Sequence, residues 1–367
     1  MLFDNIKREY QGPALYAEPQ FRYLNRSARP QAVSIRDTLE RWFCRYSEGQ
    51  TKKDIMGRFR SGDDSQYRSA FFELLLHELL LQLNCKVELH PPLNGTTNRP
   101  DFLVNPITGS PFYLEAAIVS DESDKEAAAR ARLNVIYDAL DRLDSPDFLV
   151  GMKISGVPFS LPPARQIRAF LGRNLASVDA DEIALIWKTK GIDAVPRWPI
   201  SGSNWKIEFF PYPKKPEARG KQGSRTLGTF IQPRARDIDS VSALRDTLLE
   251  KARRYGELNL PYVIAVNALT DFPVDSDDVW GALFGNEGVW TGSSGPRYTR
   301  LSCVVIARVL EWNVSNAPVC LYHNPWARFV YDSCLTNLPQ ARMLNDEIKW
   351  IGGKLLGELL HLPPNWP

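Results

Sequence analysis

The sequence predicts an α/β protein, and three observations carry that prediction. Apolar residues recur with helical period in some segments and with strand period in others, and the two kinds interleave along the chain. The 367 residues are enough for about two domains at roughly 150 residues each. The hydrophobic share of 44% and charged share of 24% are those of a globular chain, which excludes a disordered chain, a collagen and a coiled-coil rod. Lys and Arg total 45 against 43 Asp and Glu, a net +2, so any affinity for nucleic acid must come from local charge.

The elements follow in order. Residues 1–64 form a polar lead-in with an amphipathic helix from Ser34 to Tyr46 and a shorter one from Thr51 to Phe59. Residues 68–84, RSAFFELLLHELLLQLN, lack Gly and Pro and are apolar almost all round, which predicts a buried helix. Residues 85–91 alternate as a strand. Residues 98–106 and 112–120 are two further strands, joined as a hairpin by the turn from Asn105 to Pro111. Residues 121–143 start acidic, which suits the positive end of a helix dipole. A strand is expected at 148–154 and a helix opened by proline at 161–178.

Residues 180–240 read as strands rich in proline and basic groups. A helix at 240–258, a buried strand at 261–269 and a capped short helix at 275–285 come next. Strands at 301–312 and 317–325 extend the sheet or form a partner surface, and a last helix is expected over 346–360. No internal repeat or low-complexity tract occurs.

Several function classes lack support. No stretch approaches the ~20 apolar residues of a membrane helix; the best candidate, Phe71 to Leu83, is interrupted by Glu73, His77, Glu78 and Gln82. The N-terminus has no apolar core of a secretory signal, so no membrane partner and a cytoplasmic setting are expected. The five cysteines are scattered, never C-x-x-C, and fit reduced thiols. The four histidines have no metal-ligand spacing. Walker, G-x-S-x-G and H-E-x-x-H motifs are absent, and the Asp271, Asp275, Asp277 and Asp278 cluster fits a helix cap better than a second metal site.

One constellation carries chemistry. The buried helix holds Glu73 and Glu78, the next strand begins Pro100-Asp101, and the strand after it carries Glu115 in Leu114-Glu115-Ala116-Ala117. Each part has a bland reading too. Pro-Asp commonly punctuates a strand entry, and a salt bridge would explain a carboxylate inside an apolar strand as well as a metal does. Glu73 and Glu78 lie about 140° apart on a helix, so only one can face a common site. Glu73 shares its face with His77, expected as a core histidine.

In that order, helix-Glu, strand-PD and strand-E, the segment resembles the PD-(D/E)XK nuclease superfamily over roughly residues 65–155, with the strand at 261–267 as a further core strand. The resemblance implies a restriction-endonuclease-like mixed central sheet flanked by helices, with a large insertion and additional C-terminal strands and helices. It implies four parts: a helical lead-in at 1–64, the core at 65–155, a basic aromatic insertion at 156–240 and a C-terminal part at 241–367 that completes the core sheet. It also implies a metal-dependent endonuclease, with DNA the expected substrate and bacterial defence or genome maintenance the expected setting. Asp101, Glu115 and the Ala116 carbonyl would hold Mg²⁺, with Mn²⁺ as a substitute, and Glu73 would assist. Mg²⁺ favours such hard oxygen ligands and activates water for phosphodiester hydrolysis.

The family's lysine, two residues after the second acid, is alanine here: Ala117. Lys125, Lys153 and Lys251 are the candidates to replace it, with Lys251 ranked first. The same departure motivates the alternative: an inactive protein of this fold that binds nucleic acid, a protein partner or a second copy of itself.

Residues 188–236 carry eleven basic side chains against three acidic ones, interleaved with aromatics. Lys206, Lys214, Lys215, Arg219, Lys221, Arg225, Arg234 and Arg236 are the candidate phosphate contacts, and Trp187, Trp198, Trp205, Phe209, Phe210 and Tyr212 could stack on bases. A solvated hairpin with aromatics in a core is the competing reading.

Overall fold

The computed structural model describes residues 1–367 except 47, 121, 157, 161, 221–225, 232–238, 271–272 and 345–346. The chain forms two compact units: Met1–Pro13, Pro19–Asp121 and Ile238–Pro367 make the first, and Ala14–Glu18 with Glu122–Asp237 the second.

The first unit opens with four helices: α1 (Gln20–Arg26), α2 (Pro30–Arg45), α3 (Gln50–Arg60) and α4 (Asp64–Gln82). α1 lies in what the sequence suggested was a polar lead-in. It is fixed to α2 by buried Arg36, which donates to the Ser27 carbonyl at 2.6 Å. Asp63 caps α4, accepting from the Ser65 N–H at 2.7 Å. α4 is apolar all round because it packs against α1, α2 and α3 and also against the sheet.

Strands β1 (Lys86–Leu89), β2 (Phe102–Asn105) and β3 (Phe112–Val119) follow. The chain then enters the second unit: α5 (Asp124–Asp141), β4 (Phe148–Gly156), α6 (Ala164–Ala176), α7 (Ala180–Lys190), β5 (Trp198–Ser201), β6 (Trp205–Pro213) and β7 (Leu227–Ile231). It returns through α8 (Ser240–Arg253), β8 (Tyr262–Ala268) and α9 (Ser276–Phe284). A two-strand ribbon, β9 (Thr291–Gly292) and β10 (Gly295–Pro296), precedes β11 (Leu301–Ala307), β12 (Val319–His323), β13 (Gln340–Leu344), β14 (Glu347–Ile351) and α10 (Leu356–Leu359).

The first unit is built on an eight-stranded mixed sheet, ordered β1-β2-β3-β8-β11-β12-β13-β14. β3, β8 and β11 run parallel at its centre, and their burial on both faces accounts for their near-continuous apolar sequences. Along β3, Leu114 packs with α4 on one face, while Tyr113, Ala117 and Val119 pack with α8 and α9 on the other. The second unit has its own sheet, ordered β5-β6-β4-β7, and its own core.

Four expectations differ from the structure. The expected core segment 65–155 is divided, because β4 pairs with β6 and β7 in the second unit rather than with the first unit's sheet. A parallel β3–β8 pair needs a crossover connection, and the chain between these strands includes the second unit. Residues 180–190 form helix α7, started by the Asp179 side chain accepting from the Asp181 and Glu182 N–H groups. Gln340–Leu344 is a strand that sequence reading left unassigned. Residues 346–360 do not form one helix: Glu-Ile-Lys-Trp-Ile alternates as β14, Gly352-Gly353 interrupts, and only the single turn α10 is helical.

Candidate functional site

Asp101 and Glu115 are brought together by the β2–β3 hairpin. Phe102 pairs with Leu114, so the next pair along the ladder is Asp101 opposite Glu115. The His90 N–H donates to the Asp101 carbonyl at 3.0 Å and extends the β1–β2 pairing to this position. Alternation along β3 then assigns the backbone groups. The Tyr113 N–H bonds to Pro261 and the Val119 carbonyl accepts from Leu269, so odd-numbered residues face β8. Ala116 therefore turns its N–H and carbonyl toward Asp101, and its N–H donates to Asp101 Oδ2 at 2.7 Å.

Glu115 is 1% exposed and takes its partners from the end of α8. Lys251 Nζ and Arg254 Nη1 each lie 3.0 Å from Glu115 Oε1, and the Tyr255 hydroxyl donates to Oε2 at 2.5 Å. Lys251 lies in the last turn of α8, Arg254 is its C-cap and Tyr255 follows directly, so the end of the helix supplies all three. The two cations also sit at the negative end of the α8 dipole. Lys251, the first-ranked replacement for the missing lysine, therefore stands against Glu115. Lys125 and Lys153 belong to the second unit.

Glu73 is also buried and fully engaged: Tyr46 donates to Oε1 at 2.5 Å, and Arg58 forms an ion pair with Oε2. α4 lies on the sheet face opposite α8, so Glu73 approaches Asp101 from the other side. Burial, followed by the charges of Glu115 and Glu73, pushes the Asp101 carboxyl up to about 7. Among the described residues Asp101 makes no ion pair, while Glu73 has one and Glu115 two. Asp101 is thus the acid whose charge the local cations balance least.

Glu78 faces elsewhere, accepting from Arg45 at 2.8 Å and from Gln82 at 2.7 Å. His77 is buried edge-on against Tyr46, and burial lowers its pKa to about 4, so it is a neutral core histidine. Asp275 caps α9 in a capping box with Asp278, while Asp271 lies outside the described residues.

Among the described residues no three His, Cys, Asp or Glu side chains stand close enough to hold a metal ion together. Mg²⁺ commonly uses only one or two protein carboxylates, completed by water and phosphate oxygens. Asp101, Glu115 and the Ala116 carbonyl offer hard oxygen donors, the ligand type such a cation takes. Glu115 would have to share oxygens that now accept from Lys251, Arg254 and Tyr255.

The basic strip resolves into separate roles. Lys214 is buried and donates to the Ser145 carbonyl at 2.7 Å, which makes it structural. Lys206 pairs with Glu208 at 2.8 Å and Arg219 with Asp181 at 2.7 Å, while Lys215 is exposed. Lys221, Arg225, Arg234 and Arg236 lie outside the described residues. Trp198, Trp205, Phe209 and Phe210 are buried in the second unit's core, so their rings are not free to stack on bases.

Sequence reasoning missed Arg254, Tyr255, Tyr46 and Arg58. The i+3 and i+4 spacing after Lys251 could have found the first two, whereas Tyr46 and Arg58 meet Glu73 only through helix packing. It also missed a row across the sheet: Cys303 Sγ lies 3.4 Å from His323 Nδ1, and His323 Nε2 lies 2.9 Å from Gln340 Oε1. Burial raises the Cys303 thiol well above its usual value, so this row is a core hydrogen-bond chain without a thiolate. Comparison with known protein families, with curated proteins and with solved structures gives no match.

Proposed function

We propose that the first unit is a restriction-endonuclease-like, PD-(D/E)XK-type nuclease that hydrolyses phosphodiester bonds in nucleic acid, with DNA as the favoured substrate. One observation carries the reading: Lys251 Nζ meets Glu115 Oε1 at 3.0 Å, on the strand beside Asp101. The lysine that the sequence motif lacks at Ala117 would come from α8 instead.

Asp101, Glu115 and the Ala116 carbonyl would hold Mg²⁺ or Mn²⁺. When bound, such an ion polarises the phosphoryl oxygen and lowers the pKa of water. Asp101 must be ionised to serve as a ligand. Lys251 spends one ammonium donor on Glu115, and its other donors orient the attacking water and a phosphoryl oxygen. Arg254 is partly exposed and supplies charge-assisted hydrogen bonds to the phosphate. Glu73 holds negative potential at Asp101 from the far side of the sheet. Lys215 and Arg219 of the second unit remain candidate phosphate contacts.

The test is incubation with plasmid, single-stranded DNA and RNA in Mg²⁺, Mn²⁺ or EDTA, alongside Asp101→Asn and Lys251→Ala. Metal-dependent cleavage lost in both variants supports the reading. Cleavage that survives either substitution rejects it.

A second reading has its own observation. Both oxygens of Glu115 and both of Glu73 are already hydrogen-bonded, as in a purely structural network. Under this reading the protein binds nucleic acid or a partner without cleaving. Its mark is salt-sensitive binding that Asp101→Asn and EDTA leave unchanged.

A further inference from the structure

The eight-stranded sheet ends at β14, whose sequence is Glu347-Ile348-Lys349-Trp350-Ile351. β14 pairs antiparallel with β13 along its whole length and, among the described residues, with no strand on its other side. Half of its backbone N–H and C=O groups therefore point outward, a template for another strand.

Proteins usually protect such an edge with proline, a bulge or a cover of charge. β14 has no proline, its register with β13 is unbroken, and its two exposed charges, Glu347 and Lys349, are opposite in sign. Trp350 is 57% exposed and Ile351 41%, and Leu344 and Leu355 beside the strand are exposed as well. The opposite edge, β1, exposes Lys86 and Glu88 and keeps Val87 and Leu89 half-buried. Exposed apolar side chains thus gather at one edge of the sheet.

We infer that β14 is a self-association surface, joining two copies of this chain edge to edge about a two-fold axis at Ile348. Two identical edges related by such an axis run antiparallel, and the sheet continues from one copy into the other. Charge selects the register. With Ile348 opposite itself, Glu347 faces Lys349 of the second copy, and Lys349 faces its Glu347. Moving the axis to Lys349 would set two lysines opposite each other, and moving it to Glu347 would do the same with two glutamates. Opposite charges across strands stabilise, and like charges repel. The same register makes Trp350 a diagonal neighbour of Ile348 in the second copy, close enough for an indole to reach. Trp350 already packs edge-on against Tyr322, which holds the ring at the sheet surface.

Sedimentation velocity and light scattering on the full chain test this. The wild type should show twice the 41.6 kDa chain mass. Glu347→Lys and Lys349→Glu, each alone, should return it to the single-chain mass, with unchanged circular dichroism. The double variant Glu347→Lys/Lys349→Glu restores both opposite-charge pairs and should restore the dimer. A wild type that stays at single-chain mass at the highest attainable concentration overturns the inference and leaves the edge to another partner or to none. A dimer that both single reversals leave intact overturns it as well, since association then uses another surface.

Discussion

Lys251 Nζ and Glu115 Oε1 meet at 3.0 Å, although 136 residues separate them in sequence. The ion pair joins the end of α8 to the middle of β3 and includes a carboxylate that is 1% exposed. Lys251→Ala should leave Glu115 with Arg254 and Tyr255, so the fold should survive. Phosphodiester cleavage should fall by on the order of 10²-fold or more, as when a preorganised charge is removed from a reacting site. Lys251→Arg keeps the ion pair and should retain more activity than alanine. Single-turnover rates at saturating metal, read beside the circular dichroism of each variant, check both expectations.

Asp101 makes a prediction about pH. Its carboxyl is raised from 3.8 to about 7, first by burial and then by the Glu115 and Glu73 charges. The native state therefore binds this proton more tightly than the unfolded state does. The resulting stability is fully present below pH 3.8 and is lost as pH rises to about 7. Without metal, Asp101→Asn should flatten the pH dependence of the melting temperature in that window. A metal held by Asp101 must displace the proton, so Mg²⁺ affinity should fall about tenfold per pH unit below the carboxyl's pKa. Calorimetric titrations in buffers of different ionisation heat would count the released proton.

Tyr255 and Tyr46 each satisfy one oxygen of a buried glutamate. Tyr255→Phe removes a hydroxyl from Glu115 Oε2 and Tyr46→Phe one from Glu73 Oε1, leaving a buried acceptor short of a donor. Each should cost about 1–3 kcal/mol in urea unfolding without changing the slope of the transition. An unchanged midpoint in either variant would show that water replaces the hydroxyl there.

The legible and illegible parts of this chain differ in physical origin. The apolar run over Phe71–Leu80, the alternation into β2 and β3, and the acidic starts of α5 and α9 are local signals, and the corresponding elements form. The meeting of Asp101 and Glu115 was legible because a hairpin register is nearly local. Lys251 could be ranked but not placed, since its approach depends on how α8 packs on β3. The misassigned C-terminus shows the opposite case. Residues 346–360 contain helix formers, but the Gly352-Gly353 break and the pairing of β14 with β13 override that propensity. Within the basic strip, Lys214 was misjudged because charge along a sequence does not reveal burial.

Lys214 and Lys215 are adjacent in sequence and should behave differently. Burial lowers the proton affinity of Lys214, whose ammonium is spent on the Ser145 carbonyl. Lys214→Ala should lower the melting temperature while leaving the salt dependence of nucleic-acid binding unchanged. Lys215 is exposed, so Lys215→Ala should leave stability within about 0.5 kcal/mol. If the second unit contacts phosphates, the same variant should reduce the salt slope of binding by about one. Thermal melts and binding measured at several salt concentrations separate the two.

Gly352 and Gly353 are also neighbours with unequal constraints. A Cβ at Gly353 would lie 2.3 Å from the Leu338 carbonyl carbon and 2.4 Å from the Pro339 nitrogen, both backbone atoms that cannot swing away. A Cβ at Gly352 meets nothing within 4 Å. Gly353→Ala should therefore destabilise by about 1–3 kcal/mol, the usual cost of overpacking, while Gly352→Ala should be close to neutral. The strain has a direction. Leu338 and Pro339 lead into β13, and Gly353 follows β14, so relief would separate the two strands at the sheet edge. Hydrogen exchange in β13 and β14 should quicken in Gly353→Ala before it quickens in β8 or β11. Equal protection across all four strands would mean that the edge is held by contacts other than this close approach.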